Sequence, residues 1–312
     1  MSAPQHNRHP QVPSNGGGAD SDWADLAKLR RSRLANRRLA RSHYENFFIT
    51  SFFLPRSLHQ PFYDIYAFCR TADDLADELS SDQESLNALA SMETDLRKAL
   101  SPVRAEERPE RDLFISLSDT IRKFKIEERP FLDLLTAFRM NQIKKTYQSQ
   151  AELLEYCKLS ANPVGRVLLH LAGVKSERAM ELSDSICTGL QLVNFLQDIV
   201  EDFERGRIYL PQDELKQYSI EITDFRDPSQ QRALKLLVKS RSDDVLSYLQ
   251  KGKDLSNLVP PWFSRTVNLF CAGGFEAVRA IEKNHYDVFT TSPRVSFLRR
   301  FWVLGRAANG FW

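Results

Sequence analysis

Two pairs of aspartates spaced by four residues stand out because the residues around them are largely apolar. Between Leu190 and Pro211, Gln191, Asn194, Asp198, Asp202 and Arg205 fall on one narrow stripe at 3.6 residues per turn. Leu190, Leu192, Val193, Phe195, Leu196, Ile199, Val200 and Phe203 cover most of the remaining surface of that helix. Earlier in the chain, Tyr66, Arg70, Asp73 and Asp77 are spaced by four, three and four residues and so share one helical face. A single such pair reads as a solvated helix face, where like charges four apart cost about 0.2–0.5 kcal/mol. Two stripes on two mostly apolar helices point instead to acids facing each other across a bundle, where something must offset their desolvation.

The ligand types narrow what that something is. Carboxylate and amide oxygens without His or Cys suit a hard cation, and a few carboxylates with room for water suit Mg²⁺ bound together with substrate phosphates. Arg70, Arg205 and Arg207 stand beside the acids, as a diphosphate held by both metal ions and guanidinium groups requires. The competing reading of each arginine is an ion pair within its own helix.

The elements that position these groups read as helices throughout. Helical periodicity predicts segments over 23–41, 62–79, 84–100, 112–124, 130–141, 151–160, 165–172, 176–203, 231–251, 261–285 and 296–306. No sustained alternation and no Asn-Gly or Asp-Gly hairpin appears, so the expected fold class is all-α. Residues 1–20, rich in Pro, Asn, Gly and Ser, are expected to form a disordered tail. Residues 21–295 form the helical domain, and the basic, aromatic segment 296–312 is either a packed terminal helix or one lying on a bilayer. The net charge of +2 gives no global reason to expect nucleic acid as a partner. Four well-separated cysteines, Cys69, Cys157, Cys187 and Cys271, read as reduced core thiols. With no apolar run of about 18 residues and no signal peptide, the expected location is cytoplasmic, with peripheral contact on the cytoplasmic face of the membrane left open.

RTADDLADE at 70–78, YCKLSANPVGR at 156–166 and QLVNFLQDIVEDFERGRIYLPQDEL at 191–215 together resemble the squalene/phytoene synthase family, and the likeness extends from His43 to Tyr286. The resemblance implies an isoprenoid-synthase helical bundle with a central active-site cavity, two facing Mg²⁺-binding motifs, and prenyl diphosphate substrates such as presqualene or farnesyl diphosphate. Carried over by position, Asp73, Asp77, Asn194, Asp198 and Asp202 are the implied metal ligands. Tyr66, Arg70, Tyr156 and Gln191 are the implied contacts to diphosphate or cation. Arg205 and Arg207 join the expected substrate-binding set with His43 and Asn46. HYENF at 43–47, SANPVGR at 160–166, and Phe195 with Gln197 resemble bacterial hydroxysqualene synthases of hopanoid biosynthesis more than phytoene synthases. That subfamily quenches a carbocation with water and needs no nicotinamide.

Asn141 and Thr146 depart from the family pattern, where an acid and an arginine are expected, while Lys144 and Lys145 remain nearby as phosphate candidates. Phe47, Phe48, Phe52 and Phe53 read either as lining of a dry prenyl pocket or as plain core. Ser160, Asn162 and Tyr44 are candidates to position a water, and His43 is a base or a structural hydrogen-bonding residue. The alternatives are a synthase condensing two prenyl diphosphates to presqualene diphosphate or phytoene, and, in another class, a non-catalytic helical assembly or lipid-binding protein. Contact with other pathway enzymes is compatible with each.

Overall fold

The computed structural model describes residues 17–42, 54–101, 111–222, 225 and 227–290. Within them the chain runs through α1 (Gly17–Ser42), a 3₁₀ turn (Arg56–Leu58), α2 (His59–Asp77), α3 (Asp82–Leu100), α4 (Leu113–Phe124), α5 (Arg129–Ile143) and α6 (Gln150–Ser160). It continues through α7 (Asn162–Leu171), α8 (Glu177–Gln197), α9 (Ile199–Glu204), α10 (Gln212–Gln217), α11 (Gln231–Gly252), a second 3₁₀ turn (Lys253–Asn257) and α12 (Pro261–Lys283). Among the described residues the β-type pairing is confined to an isolated parallel bridge, Thr146 with Ile208. The all-α expectation therefore holds.

Local chemistry sets several of the boundaries. Ser81, Ser149 and Ser176 each turn a side-chain oxygen onto a first-turn amide, of Glu84, Glu152 and Ala179 respectively. These caps satisfy donors that the helix itself leaves orphaned, which is why α3 opens at Asp82 rather than at the expected Glu84. Helix α1 starts at Gly17, inside the stretch expected to be disordered, and residues 1–16 lie outside the described set. The six-residue α10 has too few turns to show a period. It is held by one buried residue, Leu215.

Helix α8 runs through the middle of the molecule, packed against α6, α7, α11 and α12. One core joins α2, α3, α4, α5 and α7 around Phe68, Phe114 and Phe131, whose rings meet edge to face at 5.1 and 6.2 Å. A second joins α5, α6, α8, α11 and α12 around Tyr156, Leu196, Leu237 and Leu249. Helix α7 approaches α8 closely because Gly165 has no side chain: a Cβ there would sit 2.3 Å from Ser183 Oγ and 2.7 Å from Cys187 Sγ. All four cysteines are free thiols, each pushed up to about 12 by burial. No described helix is long and apolar enough to cross a membrane.

The fully buried Asp64 ties α1 and α4 to α2. Its carboxyl accepts from Asn36 Nδ2 (2.9 Å), Gln60 Nε2 (2.9 Å), Ser116 Oγ (2.6 Å) and Thr120 Oγ1 (2.7 Å). Ser32 supports the same junction, donating to Asp112 O at 2.6 Å and accepting from Ser116 N at 3.0 Å. A buried carboxyl with this many donors is tolerable only because every partner is in place. Asp64→Ala strands those donors in a dry site and is expected to lower stability by roughly 2–4 kcal/mol, read as a lower urea midpoint. An unchanged midpoint would show that the junction is held by packing alone.

Candidate active site

Asp73 and Asp77 sit in the last two turns of α2, Asn194 near the end of α8, Asp198 at the α8–α9 junction and Asp202 in α9. All five line one cavity of about 320 Å³, together with Tyr156, Gln191, Arg205 and Arg207. The two polar stripes thus meet across the bundle. Tyr66 and Arg70 do not line this cavity but continue the α2 face away from it. Arg70 is taken up by ion pairs on its own helix and its end, with Asp74 at 2.5 Å, Asp73 at 3.2 Å and Glu78 at 3.3 Å. Burial pushes the Tyr66 hydroxyl up, Arg70 opposes, and Asp73 reinforces the rise. His43 and Asn46 lie outside the described residues, as do Tyr44, Phe47, Phe48, Phe52, Phe53 and the segment 296–312.

The long helix expected over 176–203 bends at Asp198, whose backbone (φ −103°, ψ 14°) leaves the helical region. Asp198 itself still bonds along the helix direction on both sides, its N to Asn194 O (2.9 Å) and its O from Asp202 N (2.8 Å), while the helix breaks there into α8 and α9. The bend therefore re-aims Asp202 without interrupting the stripe. Helix α9 then ends in a left-handed residue, Gly206 (φ +74°). Gly206 N bonds Phe203 O and Arg207 N bonds Asp202 O, both at 2.8 Å, the paired closure that a glycine at this position permits. The turn sends the chain back across the cavity mouth. There Arg207 reaches Asp77 Oδ1 at 2.8 Å and Arg205 reaches Asp77 Oδ2 at 3.4 Å. For these two arginines the intrahelical ion-pair reading gives way to a contact between the two motifs.

The floor of the cavity is aromatic. Phe195 and Tyr209 stack with ring centroids 4.0 Å apart and 7° between planes, and Tyr156 stacks near both, at 6.2 and 5.9 Å. Tyr209 donates to Asn141 Oδ1 at 3.3 Å. Burial pushes the Tyr156 hydroxyl up to about 12 and the Tyr209 and Tyr147 hydroxyls upward as well. Tyr209, Phe138 and Asn141 are lining residues that the spacing of the acids does not reveal, since they come from α5 and from the chain after α9. Lys145 donates to Asn141 O (2.9 Å) and pairs with Asp82 (3.5 Å), while Lys144 pairs with Glu152. Neither lysine lines the cavity.

A second cavity, of about 220 Å³, adjoins the first and shares Ser160, Gln191 and Asn194 with it. Its other walls are nearly all apolar, including Leu168, Ile186, Phe263, Val267 and Phe270. Of the residues considered for holding a water, Ser160 stands at the boundary between the two cavities. Asn162 lines neither and accepts instead from Thr188 Oγ1 at 3.1 Å.

The electrostatics fit a cation. Burial, then the charge of Asp198, raises Asp202 to about 7 against the pull of Arg207 and Arg205. Partial burial, then Asp77, raises Asp73. Carboxyls that resist ionising beside one another are relieved by a positive charge placed among them, and an all-oxygen donor set suits Mg²⁺. Among the described residues, however, no three His, Cys, Asp or Glu side chains converge closely enough to form a ready cage. The donor set thus fits an ion held partly by water and phosphate oxygens.

A family model for squalene/phytoene synthase matches residues 40–300 of the chain. A hydroxysqualene synthase from Rhodopseudomonas palustris is 33% identical over 214 residues, 68% of this chain and 70% of that protein. A 15-cis-phytoene synthase from Synechococcus elongatus is 27% identical over 293 residues, 88% of this chain and 92% of that protein. Among solved structures, squalene synthase HpnC from Alicyclobacillus acidocaldarius superposes with a TM-score of 0.77 at 38% identity, covering 83% of this chain and 96% of that one.

The raised Asp202 carboxyl carries a sign that can be tested. An unfolded aspartate titrates near 4 and the folded one at about 7, so the folded state holds an extra proton between these values. Stability from this group therefore falls as pH rises through that window. In the absence of divalent ions, Asp202→Asn is expected to raise Tm at about pH 8 by roughly 2–4 °C, the shift that ~1 kcal/mol gives in a chain of this size. The gain disappears near pH 4, where the carboxyl is neutral. A lower Tm at pH 8 in differential scanning fluorimetry would contradict the repulsion between Asp198 and Asp202.

Proposed function

Since the chain belongs to the squalene/phytoene synthase family, as the match over residues 40–300 shows, we propose that it ionises presqualene diphosphate in a Mg²⁺-dependent step and quenches the cation with water, giving hydroxysqualene and diphosphate. The observation that carries this reading is the shared wall of Ser160, Gln191 and Asn194 between a charged cavity and an apolar one. Such a pair of cavities suits an amphiphile with an anionic head and a long hydrocarbon body. The hydroxysqualene synthase relative is also closer in identity than the phytoene synthase over the residues each aligns.

In this proposal Asp73, Asp77, Asn194, Asp198 and Asp202 would hold the ions, and Arg205 and Arg207, which line the same cavity, form the anion-binding side. Mg²⁺, when bound, supplies Lewis-acid neutralisation of the charge that develops on the departing diphosphate oxygens. Arg205 and Arg207 exchange Asp77 for phosphate oxygens, which charge-assisted hydrogen bonding favours. The stacked faces of Tyr156, Phe195 and Tyr209 lie beside the region where positive charge develops on carbon and stabilise it through their quadrupoles. The C–O bond to diphosphate breaks with its electron pair leaving on oxygen. Ser160, at the cavity boundary, orients the one water whose oxygen bonds to the cation, and its proton passes to the released diphosphate or to solvent. No redox partner enters this balance, so no nicotinamide is required. The free thiols fit a reducing cytoplasm.

Incubation with Mg²⁺ and presqualene, farnesyl or geranylgeranyl diphosphate in turn, followed by mass spectrometry, is expected to give hydroxysqualene from presqualene diphosphate alone. Presqualene diphosphate formed from farnesyl diphosphate, or phytoene from geranylgeranyl diphosphate, would assign a condensing reaction instead. No turnover of any of the three would favour the non-catalytic reading. Asp73→Ala and Asp198→Ala are expected to abolish turnover with an unchanged circular dichroism spectrum, as is excess chelator. Ser160→Ala is expected to keep ionisation, measured as diphosphate release, while diverting product away from hydroxysqualene.

A further inference from the structure

Helix α1 buries one side against α2 and α4 and turns the other to solvent. The buried side carries Leu29, Ser32, Asn36, Leu39 and Ala40, all buried or half-buried, with Arg33 paired to Asp119 at 2.7 Å. At 100° per residue the exposed residues Arg30, Arg31, Leu34, Arg37, Arg38 and Arg41 form one arc about Leu34. Residues 26–42 hold seven cationic side chains and no acid, so with a total of +2 the rest of the chain carries −5. None of the five exposed arginines has a carboxylate partner among the described residues. The helix's own C-terminal dipole favours Arg41, the basic residue of the last turn, and leaves the other four without compensation.

The face is apolar at its centre as well as cationic. Leu34 is 54% exposed and Leu26 51% exposed. Arg30 to Arg41 span about 16 Å along the helix axis, and their stems are long enough to flank Leu34 while the guanidinium groups spread outward. Phosphate backbones of nucleic acid reward the arginines but offer nothing to a central leucine. The interface of an anionic bilayer rewards both, taking the leucines at the depth of the acyl boundary and the arginines at the headgroups.

We infer that the outer face of α1 is a docking surface for an anionic lipid bilayer, engaged parallel to the membrane plane. The inference is independent of the reaction catalysed.

The test is co-sedimentation of the full chain with phosphatidylcholine vesicles and with vesicles in which about a third of the lipid is phosphatidylglycerol. The expected result is binding to the anionic vesicles only, weakened by salt. Charge reversal at Arg30, Arg37, Arg38 and Arg41 (R30E/R37E/R38E/R41E) is expected to reduce the bound fraction at least roughly tenfold, and Leu34→Ala to reduce it about threefold. The matching glutamine variant, R30Q/R37Q/R38Q/R41Q, adds no acid to the helix and is expected to lose binding with an unchanged thermal melt. Equal binding by wild type and the glutamine variant would overturn the assignment, as would failure to bind anionic vesicles. Tighter binding to a short DNA duplex than to those vesicles, with the same variants losing it, would reassign the face to nucleic acid.

Discussion

Carboxylates repel one another most strongly where water is scarce, and this chain gathers four of them, Asp73, Asp77, Asp198 and Asp202, around one cavity. Much of the surrounding structure is arranged to sustain that arrangement. The apolar faces of α2 and α8 are locked into separate cores, so neither helix can rotate its acids out to solvent without exposing hydrocarbon. Arg205, at the end of α9, and Arg207, just past the Gly206 turn, then reach Asp77 from outside both helices, and their contacts bridge the two motifs. A guanidinium contact of this kind is exchangeable. That suits the proposed entry of phosphate oxygens and metal ions better than a permanent salt bridge would.

The same helix that presents acids to one cavity separates it from another. Gln191 and Asn194 on α8, with Ser160 at the end of α6, are the polar edge between a charged chamber and a hydrocarbon one. Gly165 lets α7 approach α8 on the apolar side. The stacked rings of Phe195, Tyr209 and Tyr156 close the charged side. Polar and apolar binding are thus segregated over a few residues of one helix. An amphiphilic molecule has one favourable orientation in such a space.

How much of this was legible in the sequence follows from range. The two acid stripes, their facing arrangement and the all-helical class rest on periodicity, which is local, and the structure places Asp73, Asp77, Asn194, Asp198 and Asp202 together as the spacing suggests. Boundaries moved where a serine cap or a short turn took over, as at Ser81 and Ser176. The bend at Asp198 was invisible because the polar and apolar periodicity of the sequence runs through it without a proline or glycine to mark the break. Tyr209, Asn141 and Phe138 were missed as lining for a different reason. They reach the cavity through tertiary contacts from α5 and the post-Gly206 strand of chain, and no period marks them. Arg70 shared the stripe, yet its charge is absorbed by Asp73, Asp74 and Glu78, a competition that spacing alone leaves undecided.

Asp64 has a consequence for how the molecule opens. It lies on α2, nine residues before Asp73, and its four donors come from α1, α2 and α4. Lifting α1 away would strip Asn36 from a carboxyl shared with α2 and α4, so the separation is opposed at the level of a whole buried network rather than one contact. A shared buried network of this kind is what couples the opening of neighbouring helices into one cooperative unit. The outer face of α1 is thus one buried carboxyl away from the helix bearing Asp73 and Asp77.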